Sequence, residues 1–133
     1  MTENEVIRGD GFAVAPDLDA LGEGFGFRKV RQELGVTAFG ANVVTIPPGY
    51  ETGRHFHDEQ EELYFVHRGA VAMRFDDGDE YELQEGGAAR VDPATVRSVR
   101  NLSDSDPAVY LVVGGKDGYV GRDGRQPEGE TQR

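Results

Sequence analysis

Three side chains dominate the chemistry this chain can offer: His55, His57 and Glu62. Residues two apart on a strand share a face, so His55 and His57 point the same way across Phe56. Glu62 lies five residues further on, a spacing that in one unbroken strand would turn it to the opposite face. Asp58, Glu59 and Gln60 read as a turn, which lets Glu62 begin a neighbouring antiparallel strand and face the two histidines. Two imidazoles and one carboxylate then converge. That donor set suits Fe(II), Mn(II), Ni(II), Cu(II) or Zn(II). Three ligands leave positions open for substrate or water, whereas a closed structural site needs four. The plain alternative is a solvated polar corner beside the acidic loop Asp58 to Glu61.

The elements that must position these residues read as strands. Phe27–Leu34 and Val36–Ile46 form two extended runs separated by Gly35, and Pro47-Pro48-Gly49 ends the second, because proline cannot donate to a ladder. Leu63–Val66 is a short apolar strand closing at Arg68-Gly69. Val71, Met73 and Phe75 then alternate with polar or small neighbours. Asp77-Gly78 supplies a tight turn, and Tyr81 and Leu83 alternate on the way back. Gly86-Gly87 makes a corner before strands over Val96–Leu102 and Ala108–Val113. Residues 1–26 form a lead-in, flexible over 1–11, with one helical turn at Pro16–Leu21 that Gly22, Gly24 and Gly26 keep short. Residues 27–115 hold the strands. Residues 116–133 are a C-terminal extension whose end, Gly121 to Arg133, contains only polar residues, Gly and Pro and reads as disordered. Eight or more short strands with regular turn signals imply an all-β sandwich or barrel with polar N- and C-terminal tails.

A longer pattern surrounds the histidines. Gly49, five residues, His55, one, His57, four, Glu62, six, Gly69 resembles the first motif of the cupins. Gly86, five residues, Asp92-Pro93-Ala94, two, Arg97, three, Asn101 has the spacing of the second. That second motif keeps Gly86 and Asn101 but departs between them. Asp92 stands for proline, Ala94 for glycine, and Arg97 for the histidine that usually completes the metal set. The resemblance spans roughly residues 27 to 113. It implies a small single-domain double-sheet β-barrel of the jelly-roll kind, commonly a homodimer, with a ligand pocket in the barrel mouth. It also implies metal at His55, His57 and Glu62. The family includes dioxygenases, isomerases, decarboxylases, sugar-binding and storage proteins, so the fold selects no one function.

Arg97 is the informative departure, since a permanent cation beside a divalent ion is costly. Three outcomes stand open. Arg97 swings away to bind the carboxylate or enolate of an anionic ligand, pairs with Glu62 and displaces the metal, or faces solvent. Tyr64 shares the face of Glu62 and offers a phenol to a bound ligand, or is an ordinary barrel aromatic. His67 alternates to the opposite face and reads as a surface or subunit-interface residue. Leu63 and Phe65 lie on that face too, which suggests cover by a second sheet or a partner subunit. The run Asp76 to Glu80 lacks the ordered positions of a calcium loop and reads as a solvated turn.

Composition bounds the rest. The 133 residues make one domain, and the net charge of -11 argues against nucleic-acid and membrane partners. No cysteine is present, which excludes disulfides and thiol chemistry. The first ten residues lack a signal-peptide layout, and no run reaches the ~18 apolar residues of a bilayer span, so the expected location is cytoplasmic. The expectation is therefore a divalent transition metal at His55, His57 and Glu62 and a small, anionic organic ligand near Arg97 and Tyr64. A non-catalytic binder and a metal-free barrel are the alternatives.

Overall fold

The computed structural model describes residues 5–76 and 78–127. Its elements in chain order are β1 (Ile7–Gly9), β2 (Phe12–Val14), a 3-10 turn (Leu18–Leu21), β3 (Gly26–Arg28), α1 (Val30–Leu34), β4 (Gly40–Ile46), β5 (Phe56–His57), β6 (Glu61–Arg68), β7 (Val71–Phe75), β8 (Glu80–Leu83), β9 (Ala88–Val91), β10 (Arg97–Asn101), β11 (Ala108–Gly115) and β12 (Gly124–Arg125). Two antiparallel sheets face each other. The larger has the order β3-β4-β11-β6-β9, the smaller β10-β7-β8, and a ribbon β12-β5 lies at one end. This is the all-β architecture expected from the turn spacing, with the double sheet that the family resemblance implies.

Period-two patterning explains which side chains meet between the sheets. Along β6 the burial alternates strictly, with Glu62, Tyr64 and Val66 inward and Leu63, Phe65 and His67 outward. Strand β11 is flanked on both sides, by β4 and β6, which suits its nearly continuous apolar run. Val44, Ile46, Tyr64, Val66 and Tyr110 from the large sheet pack with Val71, Met73 and Val99 from the small one. Each fully buried valine or methionine contributes about 1.5–3 kcal/mol by leaving water.

The motif glycines and asparagine serve this frame. Gly69 has φ 81°, a left-handed conformation, and a Cβ there would sit 3.3 Å from Ala108. Asn101 is buried and ties β10 to two loops. Its Nδ2 donates to the carbonyls of Ile46 (3.3 Å), Pro47 (3.1 Å) and Asp106 (2.8 Å), and its Oδ1 accepts from Ser103 N (2.9 Å).

Four departures from the sequence expectation have local causes. The run Phe27–Leu34 is not one strand: β3 ends at Arg28, and Val30–Leu34 is helical. Arg31, Gln32 and Glu33 are good helix formers without alternation, and Gly35 (φ 74°) caps the turn by donating to Arg31 O. Strand β4 accordingly starts at Gly40 rather than Val36. The lead-in holds a hairpin, β1–β2, turned at Asp10-Gly11 with Gly9 opposite Phe12. The tail adds a short strand, β12, that pairs with β5 through Gly124 and Arg125. The expectations for residues 1–4 and 128–133, and for Asp77, lie outside the described residues. Around the β7–β8 turn, Phe75 N donates to Asp79 O (2.9 Å) and Gly78 N to Phe75 O (3.0 Å). Among the described residues, no helix is long and apolar enough to cross a membrane.

Candidate metal centre

His55 is bridged to β10 of the smaller sheet, and His57 lies in the β12-β5 ribbon. His55 and Arg97 exchange both backbone hydrogen bonds, His55 N to Arg97 O (3.0 Å) and Arg97 N to His55 O (2.9 Å). His57 N donates to Pro93 O (2.7 Å). The two rings meet edge to face with centroids 5.1 Å apart. Glu62 comes from the larger sheet. The ladder partner of β5 is β12, and β6 pairs with β11 and β9, so Glu62 does not reach the histidines along a shared hairpin ladder. It meets them across the gap between the sheets. Its Oε2 lies 3.3 Å from His57 Nε2 and its Oε1 3.8 Å from His55 Nε2. One donor atom from each of the three residues falls within 4.8 Å of the others.

That spacing fits a metal. Zinc-to-donor bonds of about 2.0–2.2 Å place neighbouring donors roughly 3–3.5 Å apart. The state of His57 fits as well. Its Nδ1 lies 2.9 Å from Asp123 Oδ1, while its Nε2 is buried without a hydrogen-bond partner and faces Glu62. A neutral imidazole anchored through one nitrogen presents the lone pair of the other, which is what a metal ligand requires.

The charges are strongly coupled. Burial pushes the Glu62 carboxyl up, but His55, His57 and the Tyr64 hydroxyl outweigh it and hold the group far below the usual carboxylate range. Burial disfavours the His57 imidazolium, yet the facing Glu62 carboxylate, with Asp123, raises its pKa overall. Burial, then the Glu62 charge, pushes the Tyr64 phenol well up, so it is a neutral donor.

Arg97 is turned inward and fully buried (0% exposed). Its Nη2 donates to Glu62 Oε1 (2.8 Å) and its Nε to the Tyr64 hydroxyl (3.2 Å), while Tyr64 donates to the same Oε1 (2.7 Å). Its Nη1 reaches the carbonyls of Thr95 (2.7 Å), Pro93 (3.3 Å) and Asp92 (3.4 Å), wrapped round it by the turn 92–95. Of the three outcomes left open by the sequence, the structure shows pairing with Glu62. Every nitrogen of the guanidinium is engaged by protein, and Arg97 does not line the cavity. Glu62 Oε1 is thus taken by Arg97 and Tyr64, and Oε2 is the oxygen that faces His57.

The three candidate ligands open into a cavity of about 760 Å³ that Tyr64, Tyr110, Val112 and Thr45 also line. Its outer wall is the C-terminal segment, including Tyr119, Arg122 and Asp123. Asp123 is the site residue that sequence reasoning missed. Its Oδ2 accepts from Glu59 N and Gln60 N, both at 2.9 Å, and its Oδ1 from Gln60 Nε2 at 2.5 Å. Those bonds outweigh burial and hold its carboxyl well below the ordinary range. One carboxylate among glycines and polar residues carries no periodicity, and Arg122-Asp123-Gly124 reads as a surface turn. His67 is exposed on the outer face, apart from this cluster.

The comparisons with known proteins agree with the fold. A family model described as a cupin domain matches residues 42–114. A solved sugar phosphate isomerase of the cupin superfamily from Silicibacter pomeroyi is 31% identical, covers 68% of this chain and 58% of its own, and superimposes with a TM-score of 0.60. A Thermus thermophilus protein is 26% identical over 78% of this chain and 96% of its own, with a TM-score of 0.64. A cupin protein from Bacteroides fragilis is 22% identical, covers all of both chains, and shows the fold at a TM-score of 0.64. This chain therefore spans under two thirds of the length of the isomerase. No curated protein matches it.

Proposed function

We propose that this chain, which belongs to the cupin family, binds one divalent transition ion through His55, His57 and Glu62 and uses it on a small, oxygenated, anionic organic ligand. The observation that carries the reading is the buried, unpartnered Nε2 of His57, facing Glu62 Oε2 at 3.3 Å while Asp123 holds the other ring nitrogen. An ion in this position supplies Lewis acidity to a ligand oxygen or activates water. Glu62 contributes Oε2, its other oxygen being committed to Arg97 and Tyr64. The cavity of about 760 Å³ suits a small molecule and little more.

Arg97 enters this reading as the group that holds Glu62. An anion arriving at the mouth meets Arg122, which lines the cavity, is exposed, and makes no ion pair or hydrogen bond among the described residues. Among reactions open to such a site, similarity to the sugar phosphate isomerase favours isomerisation of a small phosphorylated or carboxylated polyol. Oxygenase and lyase chemistry use the same ligand set. A non-catalytic binder would use the same pocket. A cytoplasmic homodimer joined through the outer face of the large sheet, where Leu63 and Phe65 are exposed, completes the proposal.

A second reading is favoured by the 2.8 Å Arg97–Glu62 contact. In it Arg97 satisfies Glu62, the barrel holds no ion, and the histidines serve as acid and base.

The test is a panel of aldose and ketose phosphates and small hydroxy acids. It is run on metal-reconstituted protein and on His57→Ala, with products followed by NMR. Conversion lost in the variant with the fold intact supports the enzyme. Thermal stabilisation by a compound without product makes the chain a binding module instead. Equal conversion by the chelated protein favours the metal-free reading.

A further inference from the structure

The C-terminal segment does more than cover the cavity. Gly124 and Arg125 pair with His57 and Phe56 as an added strand, and Asp58 N donates to Asp123 O (3.1 Å). Arg125 Nη2 pairs with Asp58 (2.7 Å), and Arg31 lies 3.9 Å over the Tyr119 ring. Gly124 passes close to the imidazole, where a Cβ would stand 3.5 Å from His57 Cε1. These contacts place the Asp123 carboxylate against His57 Nδ1.

We infer that Asp123 is a positioning residue for the metal centre. It fixes the tautomer of His57 so that Nδ1 carries the proton and Nε2 presents its lone pair to the ion. Donors and acceptors around the ring decide the tautomer. A carboxylate only accepts, so the ring nitrogen 2.9 Å from Oδ1 must donate. Gln60 Nε2, also 3.2 Å from Nδ1, would favour the opposite tautomer by donating to it, but it is closer to Asp123 Oδ1, at 2.5 Å. Nε2 also faces a carboxylate, Glu62 Oε2, but at 3.3 Å and without a hydrogen bond. In the neutral ring the single proton therefore sits on Nδ1, where the contact is 2.9 Å, and Nε2 presents its lone pair. Carboxylates behind metal-bound histidines act in this way generally. The affinity arm rests on the metal reading above; the tautomer arm does not.

The geometry makes Asp123→Asn a specific reversal. Two backbone N–H groups, of Glu59 and Gln60, converge on Oδ2 and demand an oxygen there. The amide NH2 must then face His57 Nδ1, which becomes an acceptor, and the ring proton moves to Nε2. The equivalent change in serine-protease triads leaves the geometry intact and gives the wrong tautomer. Asp123→Ala removes the acceptor without supplying a donor.

The experiment is two-bond proton–nitrogen correlation on 15N-histidine-labelled, chelator-stripped full-length protein at alkaline pH. It is paired with zinc affinity measured by competition with a chromophoric chelator. Wild type should show His57 protonated on Nδ1, Asp123→Asn protonated on Nε2, and Asp123→Ala a mixture. Both variants should lose about 10- to 100-fold in zinc affinity. Wild type protonated on Nε2 overturns the inference, as does Asp123→Asn with the ring pattern or the zinc affinity unchanged. If wild type takes up no zinc, the proposed function fails, and the nitrogen pattern alone decides the role of Asp123.

Discussion

Replacing Arg97 with methionine should have opposite effects on the metal-free and metal-loaded protein. The guanidinium is fully buried, pairs with Glu62 at 2.8 Å, and satisfies the Tyr64 hydroxyl and three turn carbonyls. Removing one member of a buried pair leaves the other charge uncompensated and costs about 3–5 kcal/mol. At roughly 3 °C per kcal/mol for a chain of this size, the metal-free protein should melt about 10–15 °C lower. The same change removes a unit positive charge beside the ion. At ~5 Å and an effective dielectric of ~20, that repulsion is about 7 kcal/mol as an upper bound. Even a fifth of it is a tenfold gain in affinity. The assay is thermal melting by circular dichroism with and without metal, together with chelator competition. The expected result is a depressed metal-free midpoint, tighter metal binding, and recovery of much of the lost stability on loading. Weaker metal binding in Arg97→Met, or an unchanged metal-free midpoint, would refute the reasoning. Arg97→Lys keeps the charge but not the planar fork, and should recover only part of the stability.

Further outcomes follow from other contacts. Tyr64→Phe removes the O–H donated to Glu62 and the acceptor for Arg97 Nε, but leaves those two partners to each other. It should cost about 1–2 kcal/mol, read by urea titration, and a loss above twice that would mean the network depends on the phenol. Asn101→Ala strips the partner from three carbonyls and one N–H, four residues along β10 from Arg97. It should cost about 2–3 kcal/mol with metal affinity unchanged, as measured by denaturation and chelator competition side by side. In metal-free protein, Glu62 and Asp123 are held below their ordinary values of 4.5 and 3.8. Their stabilisation is present above those values and lost as pH falls through the lower folded ones. His57 is raised above 6.5, so its contribution is full below that pH and lost as pH climbs through the folded value. The melting midpoint should fall on both the acid and alkaline sides, the alkaline fall vanishing in His57→Ala. A wild-type midpoint flat from pH 6 to 9 would count against the His57–Glu62 coupling.

How much of this was legible depends on the range of the interactions. The alternation of Glu62, Tyr64 and Val66 along β6, and the shared face of His55 and His57, follow from a two-residue period that any strand obeys. The β7–β8 hairpin follows from turn chemistry and alternation. The partner of Glu62 was a different matter. A turn at 58–60 suggested a hairpin, whereas His55 is bridged to β10 of the smaller sheet, His57 sits in the β12-β5 ribbon and Glu62 belongs to the larger sheet. The three meet through assembly of the barrel. Resemblance to the second cupin motif marked Arg97 as standing where a histidine usually completes the metal set. What its guanidinium would bind was set by carbonyls turned inward at 92–95, which no side-chain pattern encodes. Short β9 and α1 carry too few residues for a period to emerge. Asp123 was hidden because its segment has almost no apolar content; it is held by backbone pairing and charge instead.

The central claim is that His55, His57 and Glu62 hold an ion. Elemental analysis of tag-free protein purified without chelators, beside His57→Ala, tests it most directly. The account expects about one transition metal per chain in wild type, lost in a variant whose circular dichroism is unchanged. Wild type that remains empty after incubation with Fe(II), Mn(II), Ni(II), Cu(II) and Zn(II) would contradict it, and would leave Glu62 as the counter-charge of Arg97 alone.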